Sequence, residues 1–279
     1  MNIKYNYNYS IVNDKKDIFY YLLGVVLTDG NLSYNKIRKC YKMSISSKDK
    51  EWLELIKATI NGGGIVSNNN CWDLIICNYK FIKPFIESGL TQNKSLDIIC
   101  PKINALYFKD FLRGVFDGDG FISSNKNKFY KMNSGICSGS EVFIKNIYDL
   151  ILKEFNIKGS ISSYLTTPHF IKNRFCNSIS TIHTISFSAT KTAKLCSIMY
   201  KDCSLYLNRK KVNADFIVDA FHKKNEKKLN KLNFIFSNVN ILTTREMESK
   251  LKMCRKQISN ILKTKYCFDN QKKVWVKKC

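Results

Sequence analysis

The sequence is short of what a metal ribbon, a disulfide framework or a membrane span would require. Its 279 residues include three histidines and eleven cysteines, and no two cysteines form a CxxC pair. Zinc fingers need that ligand spacing, and secreted disulfide scaffolds need a denser, even set. The scattered thiols are expected to be reduced and intracellular. No apolar run approaches the length of a bilayer crossing, so no membrane partner is expected. The opening stretch MNIKYNYNYSIVNDKKD has neither a secretory apolar region nor the Arg-rich, acid-poor character of a transit peptide. An intracellular chain is expected, with organellar, bacterial, phage and viral settings all open.

Acidic residues are scarce as well. Asp and Glu total 22 against 46 Lys and Arg, a net charge of +24 at pH 7. A folded chain with that imbalance repels itself unless a polyanion neutralises it, and nucleic acid is such a polyanion. Apolar residues at 44% and aromatics at 13% exclude a wholly disordered chain. The length suits one large domain or two to three small ones. Residues 208–279 hold 19 basic and 6 acidic side chains, so +13 of the charge sits in the last part of the chain. That concentration marks either a separate basic module or a solvated, lysine-rich linker.

What the sequence does contain is an internal repeat. FYYLLGVVLTDGNLS (19–33) and DFLRGVFDGDGFISS (110–124) align without gaps, which makes Asp29 and Asp119 equivalent positions 90 residues apart. The segments that follow repeat too. In the first copy, Lys42, Ser44 and Ser46 alternate with Met43 and Ile45 as in a half-buried strand. A helix over 49–60 is expected to bury Trp52, Leu55, Ile56 and Thr59. Strands over 65–67 and 72–77 and a helix near 81–88 complete the copy. The second copy reads as a strand near 132–138, a helix over 141–155, strands over 159–165 and 182–189 and a helix over 191–200. In its last strand Thr184, Ser186 and Ser188 alternate with Ile185, Phe187 and Ala189. Each copy is therefore expected to run α-β-β-α-β-β-α, an α+β fold with antiparallel sheets. The hydroxyl- and lysine-bearing faces suit either water or the backbone and base edges of DNA.

The motif helices carry a mechanistic hint. Gly24 and Gly114, with Thr28 and Gly118 four residues on, give each helix a stripe of small residues that permits close packing. Gly30 and Gly120 are expected to end the helices in the left-handed conformation. Packing about a pseudo-two-fold axis would bring Asp29 and Asp119 together at helix C-termini, where negative charge is disfavoured. Two carboxylates so placed need a cation between them, and hard oxygen donors favour Mg²⁺.

LLGVVLTDG (22–30) and LRGVFDGDG (112–120) resemble the two motifs of single-chain LAGLIDADG homing endonucleases. The first departs by placing Leu27 where the family often has an acid. KSLDIICPK (94–102) and LYLNRKK (205–211) are similar to segments that close each half in that family. The resemblance covers roughly residues 15–212 and implies a first half over 15–105 and a second over 106–212, in a monomer. It implies that Asp29 and Asp119 bind the catalytic metal together with the carbonyls of Thr28 and Gly118. Lys94, and Arg209 or Lys210 within Asn208–Lys211, would stand near the scissile phosphates. Lys42, Ser44, Ser46, Thr184, Ser186 and Ser188 would face DNA. The activity implied is an endodeoxyribonuclease that makes a double-strand break with short 3′ overhangs at a long asymmetric site and serves intron homing. Mg²⁺ would be its cofactor, Mn²⁺ a substitute, and Ca²⁺ would support binding without cleavage. The other class of function is a non-cleaving binder, either a maturase acting on its host intron RNA or a DNA-binding regulator.

The third expected module spans 213–279. A helix over 213–240 precedes a capping box formed by Thr243 and Glu246, a helix over 244–251, a turn at 252–254 and a helix over 255–265. Helix, tight turn, helix is the arrangement that places a second helix in the major groove. Arg255, Lys256, Gln257, Asn260 and Lys263 are its expected outward residues. A hairpin over 266–277 would form a wing whose Lys272 and Lys273 touch phosphates. An ordinary helical pair with a solvated basic face would show the same pattern.

Overall fold

In the computed structural model, each repeat begins with its motif helix. The structure describes residues 5–37, 39–92, 98–125, 128–167, 169–171, 174–176, 179–269 and 274–278. After a single turn, α1 (Ser10–Asn13), the first copy contains α2 (Lys16–Thr28), β1 (Gly30–Asn35), β2 (Cys40–Ser47), α3 (Lys50–Ile60), β3 (Gly64–Asn68), β4 (Cys71–Ile76) and α4 (Tyr79–Glu87). The second contains α5 (Phe108–Asp117), β5 (Gly120–Ser123), β6 (Asn133–Ser138), α6 (Glu141–Phe155), β7 (Ser160–Leu165), β8 (His169–Ile171), β9 (Arg174–Cys176), β10 (Thr181–Ser188) and α7 (Ala189–Met199).

The two four-stranded sheets share one topology. Their orders are β1-β2-β4-β3 and β5-β6-β10-β7, antiparallel throughout. The fold is thus α+β with antiparallel sheets. The small β8-β9 hairpin inserted in the second copy has no counterpart among the described residues of the first and no signal in the periodicity.

Each sheet buries one face under its helices. Leu32, Met43, Ile45, Leu74 and Ile76 line the first, and Ile122, Ile136, Ile185 and Phe187 line the second. On α3 the buried residues are Trp52, Leu53, Ile56 and Ile60, while Leu55 is 39% exposed and Thr59 is half-buried. This corrects the expected stripe: both sets have helical spacing, and only the position of the sheet decides between them.

The motif helices pack backbone to backbone. A Cβ added to Gly24 would fall on the Phe111 carbonyl oxygen, and one added to Gly114 on the Tyr21 carbonyl oxygen. Gly30 and Gly120 correct a second expectation. They lie in β1 and β5, and the positive-φ glycines among the described residues are Gly63 and Gly89. A side chain at Gly30 would meet Val26, and one at Gly120 would meet Phe116, so the absence of a Cβ lets each strand turn back tightly over its own helix.

The chain divides into two compact units, Met1–Val218 and Asp219–Cys279, a boundary that falls inside α8 (Asn208–Ser237). The second unit also contains α9 (Thr244–Leu251), α10 (Arg255–Leu262), β11 (Tyr266–Asp269) and β12 (Val274–Lys277). Its core is Ile235, Met247, Ile258 and Leu262, with Phe236, Ile261, Tyr266 and Trp275 packed against them. Thr243 and Glu246 form the expected capping box at the start of α9.

Candidate active site and nucleic-acid interface

The site begins where the two motif helices end. Asp29 is the C-cap of α2, its N–H bonded to the Val25 carbonyl at 2.9 Å, and Asp119 follows the C-cap Gly118 of α5. A Cβ at Gly118 would overlap the Thr28 hydroxyl oxygen and lie 3.5 Å from the Asp29 nitrogen. The two helix ends therefore touch. Asp29 is half-buried and Asp119 exposed. These are hard oxygen donors at two adjoining carbonyl-rich termini, a chemistry that fits a divalent cation. Among the described residues no three His, Cys, Asp or Glu gather into a metal cluster. Carbonyls, water and phosphate oxygens would have to complete any coordination shell.

Lys210 lies beneath this junction. It is 3% exposed, and its ammonium donates to the carbonyls of Phe116 (2.6 Å), Asp117 (2.8 Å) and Gly118 (2.9 Å). Burial pulls its pKa down to about 8, against the opposing charge of Asp117. Arg209 lowers it further, while Asp29 and Asp119 raise it. A cation at a helix C-terminus satisfies orphan carbonyls and the dipole together. Of the two basic candidates, Lys210 thus turns inward and Arg209 faces solvent, its side chain 60% exposed and paired to Asp49 at 2.9 Å. Lys94 lies outside the described residues.

Asp117 was missed in the sequence. Its carboxylate, 1% exposed, accepts hydrogen bonds from the Tyr21 hydroxyl (2.8 Å), the Tyr200 hydroxyl (2.6 Å) and the Leu207 N–H (2.8 Å). The Trp52 indole donates in turn to the Tyr21 oxygen at 2.9 Å. Burial pushes the Asp117 carboxyl above its usual range while the three donors pull it back. Burial, followed by the charge of Asp117, drives Tyr21 and Tyr200 well above the ordinary phenol value. Arg113 is buried beside this hub, donating to Asp110 (2.8 Å) and to the carbonyls of Met199 and Leu205. One signal was available: Asp117 is an acid in the apolar run of the second motif, where the first has Leu27.

The polar strand residues divide. Lys42 and Ser46 are exposed, but Ser44 is only 9% exposed, covered within its sheet. Ser46 donates to Asp73 at 2.6 Å, so this face carries an acid as well. Thr184 and Ser186 are half-exposed and Ser188 exposed. Register places Ser162 opposite Thr184 and Ser160 opposite Ser186, and every residue of β7 is exposed. Asn31 and Ser33 lie in β1, the opposite edge of the first sheet and the counterpart of β5. The alternation that revealed β10 was present in Ser160, Ser162 and Tyr164 too.

In the second unit Arg255, Lys256, Gln257, Asn260 and Lys263 are all exposed. Arg255 pairs with Glu248 at 3.0 Å, and the Gln257 carbonyl oxygen accepts from the Cys254 N–H in a capping box. Gln257 thus serves its own helix. Lys272 and Lys273 lie outside the described residues. No helix of the described chain is long and apolar enough to cross a membrane.

No protein-family model matches the chain. Over 164 residues, 52% of the chain, it is 27% identical to the uncharacterised protein MJ0398 of Methanocaldococcus jannaschii, and the match spans 56% of that protein's length. Among solved structures, the chain is similar to the homing endonuclease I-DmoI in complex with DNA and Ca, at 16% identity and a TM-score of 0.48 over 69% of this chain and 93% of that one. It is also similar to the LAGLIDADG meganuclease I-AabMI bound to uncleaved DNA, at 15% identity and 0.46 over 75% and 91%. The homing endonuclease I-WcaI bound to its DNA recognition sequence gives 16% and 0.46 over 70% and 84%.

Proposed function

We propose that the chain is a site-specific DNA endonuclease that uses divalent metal to make a double-strand break, acting as a monomer whose two halves share one catalytic centre. The observation that carries this reading is the meeting of the two motif helices, which sets Asp29 and Asp119 at adjoining C-termini. A structural role alone gives no reason to repeat an acid at the helix end that disfavours it. Asp29 and Asp119, with the Thr28 and Gly118 carbonyls, would hold Mg²⁺, for which Mn²⁺ would substitute. Bound there, the cation supplies Lewis acidity and an activated water for phosphodiester hydrolysis.

The remaining roles belong to the protein itself. Arg209 reaches solvent beside the junction and neutralises a backbone phosphate, as Lys94 does in the first half. Lys210 holds the end of α5, and with it Asp119, in place. Lys42, Ser46, Thr184, Ser186 and Ser188 contact the duplex along two antiparallel sheets, and Lys256, Asn260 and Lys263 add contacts from the C-terminal unit. The net +24 supplies the counter-charge for a long DNA site. An intron-encoded enzyme would find that site where its intron is absent.

The test is incubation of the protein and Mg²⁺ with a supercoiled plasmid carrying the uninterrupted sequence obtained by joining the DNA on either side of the gene. Linear plasmid cut at one position is expected. Binding of that plasmid without linear product would instead favour the non-cleaving binder.

A further inference from the structure

The first sheet carries an aromatic stack that neither its core nor the proposed catalytic centre uses. Tyr34 and Tyr41 are directly opposite in β1 and β2, with ring centroids 4.8 Å apart, and Tyr79 at the start of α4 stacks on Tyr41 at 5.5 Å and 21°. Other aromatic pairs of this half, such as Phe19–Phe85 and Phe81–Phe85, lie in the buried core. Here the two outer rings remain open, with Tyr34 40% and Tyr79 53% exposed.

Lysines flank the stacked tyrosines along the chain. Lys36 and Lys39 stand exposed on the connection between the two strands, and exposed Lys80 adjoins Tyr79, with its ammonium 4.7 Å from the Tyr9 ring centroid. Strand alternation places Tyr34 and Tyr41 on the side of Leu32 and Met43, the reverse of the face that carries Lys42 and Ser46. A duplex on the polar face would leave this surface uncovered.

We propose that Tyr34, Tyr41 and Tyr79, with Lys36, Lys39 and Lys80, form a second nucleic-acid surface that stacks unpaired bases of RNA. A cross-strand tyrosine pair alone contributes to sheet stability. That role needs neither a third ring from α4 nor exposed lysines beside it. Open aromatic faces beside cations are the elements that bind unpaired strands, because every base has a stacking face and every linkage a charge. Duplex DNA keeps its bases stacked inside the helix, whereas loops and ends of folded RNA present them. The occupant is therefore an unpaired RNA segment, and this surface is independent of the proposed cleavage chemistry.

The experiment measures fluorescence anisotropy of the full chain with a short labelled RNA of mixed sequence, the DNA strand of the same sequence and a DNA duplex. The double variant Tyr34→Leu/Tyr79→Leu keeps apolar bulk while removing two stacking faces. It should weaken RNA binding about tenfold or more, with duplex binding unchanged. Lys80→Gln should reduce the salt dependence of RNA binding by about one ion. Should the double variant unfold, Tyr79→Leu alone, at an exposed helix start, should still weaken RNA selectively. The proposal is overturned if the wild-type chain does not bind the RNA or binds the single-stranded DNA equally well. It is likewise overturned if folded variants keep full RNA affinity or lose RNA and duplex binding in parallel.

Discussion

Asp117 is the residue on which the centre of the first unit depends. Its two carboxylate oxygens accept from Tyr21 of α2, from Tyr200 just after α7 and from the Leu207 N–H. A buried acceptor with three donors is expensive to remove, because the donors are left without water or partner. Asp117→Ala should therefore cost about 3 kcal/mol or more in urea unfolding, within the range for breaking a buried charged network. Asp117→Asn keeps the shape and one accepting oxygen and should cost about 1 kcal/mol. Equal losses for the two variants would contradict the assigned hydrogen bonds. The sequence could not show this hub, whose partners stand 96 and 83 residues away. Asp29 and Asp119 were legible because a repeat made each the evidence for the other. The choice between Arg209 and Lys210 was not, since adjacent positions on a helix start differ only in the direction they face.

At the scale of elements, the pairing of α2 with α5 sets the distance between the proposed metal ligands. Gly24 and Gly114 bring main chain against main chain with no room for a Cβ. In an exposed helix, replacing glycine by alanine stabilises by about 1 kcal/mol. Here Gly114→Ala should have the opposite sign and lower stability by about 1–3 kcal/mol, because the methyl group would be driven into the Tyr21 carbonyl. A thermal melt decides this, and a raised Tm for Gly114→Ala would show that the helices are not in close contact. The element boundaries were largely written in local signals. The helix Glu141–Phe155, the capped helix Thr244–Leu251 and the strands Tyr266–Asp269 and Val274–Lys277 follow from periodicity, capping and turn residues. The burial of Leu53 and Ile60 in place of Leu55 and Thr59 depended on where the sheet lies, which no local pattern states. The same holds for Gly30 and Gly120, whose neighbours across the turn require the missing side chain.

Across the whole molecule, duplication and charge work together. Two sheets of one topology meet through their motif helices, and a smaller unit with its own core carries the exposed residues of α10. In the proposed function one centre is built from two equivalent halves, so each half would have to supply its acid for both strands to be cut. The measurement that tests this most directly compares Asp29→Asn and Asp119→Asn on a supercoiled target plasmid in Mg²⁺, with binding followed in Ca²⁺. Neither single variant should yield linear plasmid, and both should bind the target as the wild-type chain does. A single variant that linearises the plasmid at the wild-type rate would contradict the paired-carboxylate centre.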